Sequence, residues 1–357
     1  VMFVGSIVTT AQSCYNSVDG SIAITAKGGS SSGTTSPLQY AIVNDNVTSI
    51  PPTSWLNMPT YSSASKTYTA NVQIGKGKYK VAVRDANCGQ VVYPETVIVG
   101  GYDQILVDET KIEVGKPVCY GDPASINVTT VKGGNGSYKY TLYKSGVAVT
   151  GYVQQASGLF TGLTTGTYTV KVEDTTTCPS YTTASITISD TPKVTFAVAQ
   201  QNISCNSAND GQITITAAGG TYSSAVTTAQ YSYAVNNQNI WVPFVGTTKT
   251  YIATQPGTFT IWVKDVNGCT STSTAVQILE PASISATVTV TKNEDCTSGG
   301  AVVVAATGGW ANGTATSTFE YKLDANGSYT SSNSFTGLAA GTHSITVHSK
   351  LTAPVTG

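Results

Sequence analysis

Charge is scarce in this sequence. Lysine, arginine, aspartate and glutamate together make up 10% of its 357 residues, against roughly 25% in an ordinary soluble domain. Eighteen basic and nineteen acidic side chains leave a net charge of −1, and no basic run occurs. The chain therefore has no electrostatic footprint for nucleic acid or an anionic lipid surface. Long apolar runs are also missing. None approaches the ~20 residues that cross a bilayer, which argues against membrane insertion by this segment. The opening VMFVGSIV has neither a basic flank nor a cleavage site and reads as a strand, not a signal peptide. Histidine occurs twice, at His343 and His348. Five positions apart on one expected strand, the two point to opposite faces and cannot share a metal or form a dyad. No C-x-x-C pair exists and no cysteine has a histidine neighbour, so zinc and thiol redox chemistry are set aside. No catalytic, cofactor or metal residue is assigned, and the chain is not expected to be an enzyme.

Repetition is what the sequence has in abundance. The phrase GTFTIWVKDVNGC (257–269) returns as GKYKVAVRDANC ending at Cys88 and as GTYTVKVEDTTTC ending at Cys178. A fourth version, GTHSITVHS from Gly341, runs on without a cysteine. A second phrase leads each unit: CYNSVDGSIAITAKGG from Cys14, CYGDPASINVTTVKGG from Cys119, CNSANDGQITITAAGG from Cys205 and the shorter CTSGGAVVVAATGG from Cys296. A fixed period, here about 90 residues, marks one structural unit copied in tandem. Three complete repeats and a truncated fourth are expected, at 1–101, 102–192, 193–281 and 282–357, as a fragment of a longer protein.

Inside each repeat, apolar and polar residues alternate with the period of a half-buried strand. Val194, Phe196 and Val198 share one face of the first strand. Ile22 with Ile24, Ile126 with Val128, Ile213 with Ile215 and Val302 with Val304 share a face of the second. A Gly-Gly pair beginning at Gly28, Gly133, Gly219 or Gly308 ends that strand, where a reversal calls for positive φ. Tyr40, Tyr140, Tyr233 and Tyr321 mark a third strand. Tyr79, Val81 and Val83 form the inward face of a later one, as do Tyr168, Val170, Val172 and Phe259, Ile261, Val263. That strand stops at a turn opened by Asp85, Asp174 or Asp265. A turn opened by Asp needs no ion, and the further oxygens of a calcium loop are missing. Seven or so short antiparallel strands in about 90 residues describe an all-β fold, a tandem array of immunoglobulin-like (PKD-like) β-sandwich modules.

The seven cysteines take two repeated positions, leading (Cys14, Cys119, Cys205, Cys296) and trailing (Cys88, Cys178, Cys269). That regularity is a disulfide framework and implies an oxidising, extracellular setting. One pairing lies within repeats: Cys14 with Cys88, Cys119 with Cys178 and Cys205 with Cys269, leaving Cys296. The other lies between repeats: Cys14 with Cys178 and Cys119 with Cys269. The first is the obvious one, but the two turns of a sandwich lie at opposite ends, about 20 Å apart, and a disulfide needs Cα atoms within ~7 Å. Both pairings stay open at this point. Trp55, Trp241 and Trp310 could stack on sugar rings if exposed. They occupy dissimilar positions between repeats, and a sandwich core absorbs tryptophan, so packing in the core or loops is the favoured reading.

Together, the leading C-N-x-x-x-D-G-x-I-x-I-x-x-x-G-G and the trailing L-x-x-G-T-Y-T-V-x-V-x-D-x-N-G-C resemble the SprB-type repeats of Bacteroidetes surface proteins, over essentially the whole chain. Repeat four departs most, with His343 in place of the corner aromatic and no trailing cysteine. The resemblance implies a very large cell-surface protein, exported by the type IX secretion route and used in adhesion or gliding. On that reading the chain is a rod-like, non-catalytic spacer. Its partners are neighbouring repeats of the same long chain, with surface polysaccharide or other cell-surface proteins beyond them. The alternatives are a polysaccharide-binding array and an accessory region of a large secreted enzyme.

Overall fold

The computed structural model of the protein describes all residues except 30–37, 86–88, 222–228, 296, 311–316 and 352–357. Cys88 and Cys296 lie outside the described residues. Elsewhere the regular structure is β-strand, with two single-turn 3-10 helices at Pro52–Ser54 and Glu109–Lys111. No helix among the described residues is long and apolar enough to cross a membrane. The chain forms two compact units, Val1–Lys116 with Pro123–Ser189, and Pro117–Asp122 with Asp190–Gly357.

The first unit holds two sandwiches. In the first of them, strands Phe3–Thr10, Gly20–Lys27, Thr67–Ile74 and Thr60–Ser62 form one sheet in that order. The second sheet runs Leu56–Asn57, Gln39–Asn44, Gly77–Asp85, with Gly89–Val92 and Val97–Val99 sharing the far side of Gly77–Asp85. Lettered in chain order, this is A-B-E-D against C′-C-F-G, the immunoglobulin-type arrangement. The alternation read from sequence sets the burial: Ile22, Ile24, Val81 and Val83 are at most 1% exposed and meet in one core. Each such side chain contributes ~1.5–3 kcal/mol relative to an exposed one. The opening strand is kept in phase by a bulge. Val4 pairs with Ala26 and Ser6 with Thr25, so Gly5 is an extra residue. Met2 is buried as a result, while Phe3 faces solvent.

The second sandwich pairs Glu113–Gly115, Ala124–Asn127 and Leu159–Leu163 opposite a sheet centred on Tyr138–Lys144 and Gly166–Asp174. Ile126, Leu142, Phe160, Val170 and Val172 are fully buried between them. The aromatic of the G-x-Y-x-V phrase is a tyrosine corner in both sandwiches. Tyr79 donates its hydroxyl to the Gly75 carbonyl at 2.8 Å, and Tyr168 to Thr164 at 2.7 Å. The Gly-Gly pair has a steric cause beyond its turn: at Gly133, with φ +81°, a Cβ would lie 1.8 Å from the Gln104 carbonyl of the neighbouring strand.

The second unit repeats the pattern. Thr195–Gln201, Gly211–Ala218 and Thr248–Ala253 face Val242–Phe244, Tyr231–Val235, Gly257–Asp265 and Thr270–Ile278. Ile213, Ile215, Ile261, Val263 and, from the closing strand, Val276 and Ile278 form the core. The last sandwich sets Ala282–Lys292, Gly300–Gly309 and Ser334–Leu338 against Ser317–Leu323 and Ile345–Leu351. No closing strand follows Ile345–Leu351 among the described residues, and Ile284, Val288 and Val290 of its first strand stay exposed. The expected strand carrying both histidines begins only at Ile345, so His348 lies on it and His343 precedes it. His343 keeps the corner, with Nε2 3.0 Å from the Ala339 carbonyl four residues back.

Candidate functional site: the joints between repeats

The leading turn is the same object in the first three repeats. The backbone N–H three residues after the cysteine donates to the cysteine carbonyl, from Ser17 to Cys14, Asp122 to Cys119 and Ala208 to Cys205, at 3.0–3.1 Å. The residue two after the cysteine has positive φ, at Asn16, Gly121 and Ser207, as position i+2 of a type II turn demands. An aspartate locks the loop. Asp19 accepts from the Ser13 N–H at 3.0 Å and the Ser17 hydroxyl at 2.5 Å, and Asp210 from the Ser204 N–H and hydroxyl at 2.8 and 2.5 Å. Ser13 and Ser17 thereby hold the Asp19 carboxyl down to about 2, and Ser204 holds Asp210 below the usual carboxylate range.

The trailing turn is built on the buried aspartate that ends the F strand. Asp265 Oδ1 accepts from the Asn267 and Cys269 N–H groups, and Oδ2 accepts from Thr221, just past the Gly-Gly pair. Asp174 does the same with Thr176 and Asn135. Burial works to raise the Asp174 pKa, but these bonds outweigh it and leave the group below its ordinary value. Both carboxylates are spent on backbone donors, so the Asp-opened turns are hydrogen-bonded turns. Among the described residues no three His, Cys, Asp or Glu side chains converge. In these two sandwiches the residue after Gly-Gly therefore sits beside the trailing turn.

The structure decides the cysteine pairing. Cys14 is bonded to Cys178 and Cys119 to Cys269, with Cα atoms 5.2 and 5.4 Å apart. The within-repeat pairs Cys119 with Cys178 and Cys205 with Cys269 do not form, and Cys14 is not joined to Cys88. The first sandwich shows why. Its leading turn adjoins the start of strand Gly77–Asp85, where Gln12 Oε1 accepts the Lys76 N–H. That strand runs nine residues to Asp85, so its far end, from which the sequence continues to the trailing cysteine, lies ~30 Å away at ~3.4 Å per residue. Each bond closes a loop of about 150 residues or more, which on a chain-entropy account is worth roughly 5 kcal/mol. Segment Pro117–Asp122 is held in the second unit. There Cys119 packs on the core that contains Cys269, and the Gly121 N–H is capped by Asp190.

The tryptophans separate. Trp55 is only 9% exposed, under the Arg84 guanidinium at 4.6 Å and against Ala41 and Ala82. Trp310 is 6% exposed. Both take the packing role that the sequence reading favoured for them: the body of a loop tryptophan is buried where it finds an apolar wall. Trp241 is half-buried, its ring under the Lys264 ammonium at 4.5 Å.

Bonded leading and trailing turns on immunoglobulin-type sandwiches define a class: tandem β-sandwich proteins cross-linked between repeats, a build that fits a secreted or cell-surface protein. The more particular likeness is to the SprB repeat, whose family model matches residues 197–239, consistent with a SprB-type repeat region. No curated protein sequence matches the chain. Among solved structures it is similar to the three N-terminal domains of the highly immunogenic outer capsid protein of bacteriophage RB49. The identity there is 16%, over 78% of this chain and 99% of that one, with a TM-score of 0.37. It is also similar to immunoglobulin domains 1–5 of Sidekick-1, at 14% identity over 98% and 78% of the two chains, TM-score 0.27. The fold assignment rests on the strand order.

Proposed function

We propose that this chain is a non-catalytic structural segment of a large secreted cell-surface adhesin or surface filament, acting in adhesion or gliding. Its units are the modules 1–101, 102–192, 193–281 and 282–357. The observation that supports this most is the bonding of a leading cysteine in one repeat to the trailing cysteine of the next. A bond inside a module protects that module alone, whereas a bond between successive repeats keeps neighbours attached when the chain is pulled. In-frame deletion of this segment from its parent protein tests the reading, with surface immunolabelling as the control for export. Attachment or gliding speed should fall while the shortened protein still reaches the surface. Unchanged attachment and movement by cells displaying the shortened protein would overturn it. A second reading, polysaccharide binding, has Trp241 in its favour, the least buried of the three candidate tryptophans. Glycan-array binding lost on Trp241→Ala would support that reading instead.

A further inference from the structure

Three joints in this chain can be compared through one carbonyl, that of the residue before each leading cysteine. Cys178 Sγ lies 3.2 Å from the Ser13 carbonyl oxygen, and Cys269 Sγ lies 3.5 Å from that of Val118. At the equivalent Ser204 carbonyl no sulfur lies within such a distance among the described residues. The Trp310 indole N–H donates to it at 3.1 Å. Cys205, next in sequence, carries no disulfide. The wiring of the trailing turn explains how a tryptophan arrives there. Residues following Gly-Gly sit beside the trailing turn, as Asn135 and Thr221 do through Asp174 and Asp265. Trp310 is the residue following Gly308-Gly309, and the aspartate position of its repeat holds Ser349. With serine at the aspartate position and no cysteine in the four residues after it, this module offers the indole to the preceding repeat's turn instead.

We propose that Trp310 is a non-covalent stand-in for the trailing cysteine, and that the joint between the third and fourth sandwiches is a reversible latch while the other two are covalently closed. The contact has the features of a latch. Trp310 is 6% exposed and forms one wall of a cleft of about 510 Å³, together with Cys205, Pro281, Ile284 and Val347. Among the described residues no disulfide ties the leading turn behind it, which is joined to the connecting segment by hydrogen bonds from the Asn206 side chain to the Pro281 carbonyl and from the Ser207 N–H to Glu280. All of these can open and re-form without chemistry. A reductant changes the first two joints and leaves this one alone, whereas loss of the indole does the reverse. The inference concerns how the joint is held and stands independently of the adhesion reading.

Amide hydrogen exchange on the full chain tests it, comparing wild type, Trp310→Phe and Trp310→Ala, each with and without dithiothreitol. In Trp310→Phe the ring is kept and one hydrogen bond is lost, so the Ser207 N–H should exchange about fivefold faster. The Tyr321 N–H, inside the fourth sandwich and bonded to Thr330, should not change. Trp310→Ala should accelerate Ser207 by more than about tenfold. Dithiothreitol on wild type should accelerate Ser17 and Asp122 and leave Ser207 as it was. The proposal is overturned if Ser207 is unmoved in both variants or if dithiothreitol accelerates it alongside Ser17. It is equally overturned if Tyr321 accelerates with Ser207 in Trp310→Phe, since the indole would then be core packing only.

Discussion

His343 Nδ1 lies 2.8 Å from Asp324 Oδ2, while its Nε2 faces the Ala339 carbonyl at 3.0 Å. Two acceptors on one ring are both satisfied only by the doubly protonated imidazolium. The Asp324 carboxylate, then the Ala339 carbonyl, hold the His343 pKa above its ordinary value of 6.5. Asp324 in turn is held below the carboxylate range by His343 and the Ser344 N–H.

The pH dependence of this corner follows in sign. The raised histidine contributes stability that is complete below about pH 6.5 and lost as pH rises through its folded pKa. The depressed Asp324 contributes above about pH 4 and fails in stronger acid. The fourth sandwich should therefore be most protected between about pH 4 and 6.5. Amide exchange in strand Ile345–Leu351, corrected for its intrinsic pH dependence, should show protection falling from pH 6 to 9. In His343→Tyr, which restores the corner hydroxyl of Tyr79 and Tyr168, that fall should disappear.

Acid should also loosen the leading turns. Asp19 at about 2 and the depressed Asp210 contribute fully above about pH 4, and their share is lost as pH falls toward 2. The Ser13 and Ser204 N–H groups should lose protection over that interval. Asp19→Asn and Asp210→Asn keep an acceptor oxygen without a titration, so each should flatten the response at its own turn only.

Interlaced disulfides limit extension. The shortest covalent route from Cys14 to Cys269 crosses to Cys178, runs back to Cys119 and crosses again, using 59 residues (178 − 119). The backbone between the same cysteines has 255 (269 − 14). At ~3.4 Å per extended residue these are ~200 and ~870 Å. Single-molecule pulling should thus show a contour-length gain of ~670 Å on reduction. Cys119→Ser alone should open the route only to the 91 residues from Cys178 to Cys269 (269 − 178). Non-reducing peptide mapping of the same material should give the Cys14–Cys178 and Cys119–Cys269 linked peptides.

The tyrosine corner has a measurable worth. Tyr168 is 2% exposed and its hydroxyl is bonded to the Thr164 carbonyl. Tyr168→Phe keeps the ring and removes one hydrogen bond, leaving that carbonyl to solvent or to no partner, at a cost of about 1 kcal/mol. Denaturant unfolding of the chain should show the loss as an earlier first transition. Ile261→Ala, in the core of the third sandwich and wholly buried, should cost about 2–5 kcal/mol.

The sequence by itself determined everything that depends on near neighbours along the chain. Period-2 alternation at Ile22 and Ile24 or Val170 and Val172 puts those side chains on one face, and burying that face allows little besides a sandwich. The Gly-Gly pairs, the Asp-opened turns and the corner tyrosines were legible for the same reason, since each is a local backbone requirement. The histidine corner at His343 was visible as a departure, and its hydrogen bonds were not.

What only the tertiary structure decided is what one repeat presents to the next. Both disulfide schemes satisfy the same cysteine spacing, and the choice fell to the ~30 Å of strand that separates the two turns of one sandwich. The burial of Trp55 and Trp310 was equally hidden, because a loop tryptophan is buried or exposed according to the surface that happens to meet it. For Trp310 a signal did exist. It replaces Ser30, Asn135 and Thr221 after Gly-Gly in the one repeat that also has Ser349 at the aspartate position and no cysteine in the four residues after it. Three substitutions in one module marked a changed joint, but only the position of the Ser204 carbonyl showed what the tryptophan had replaced.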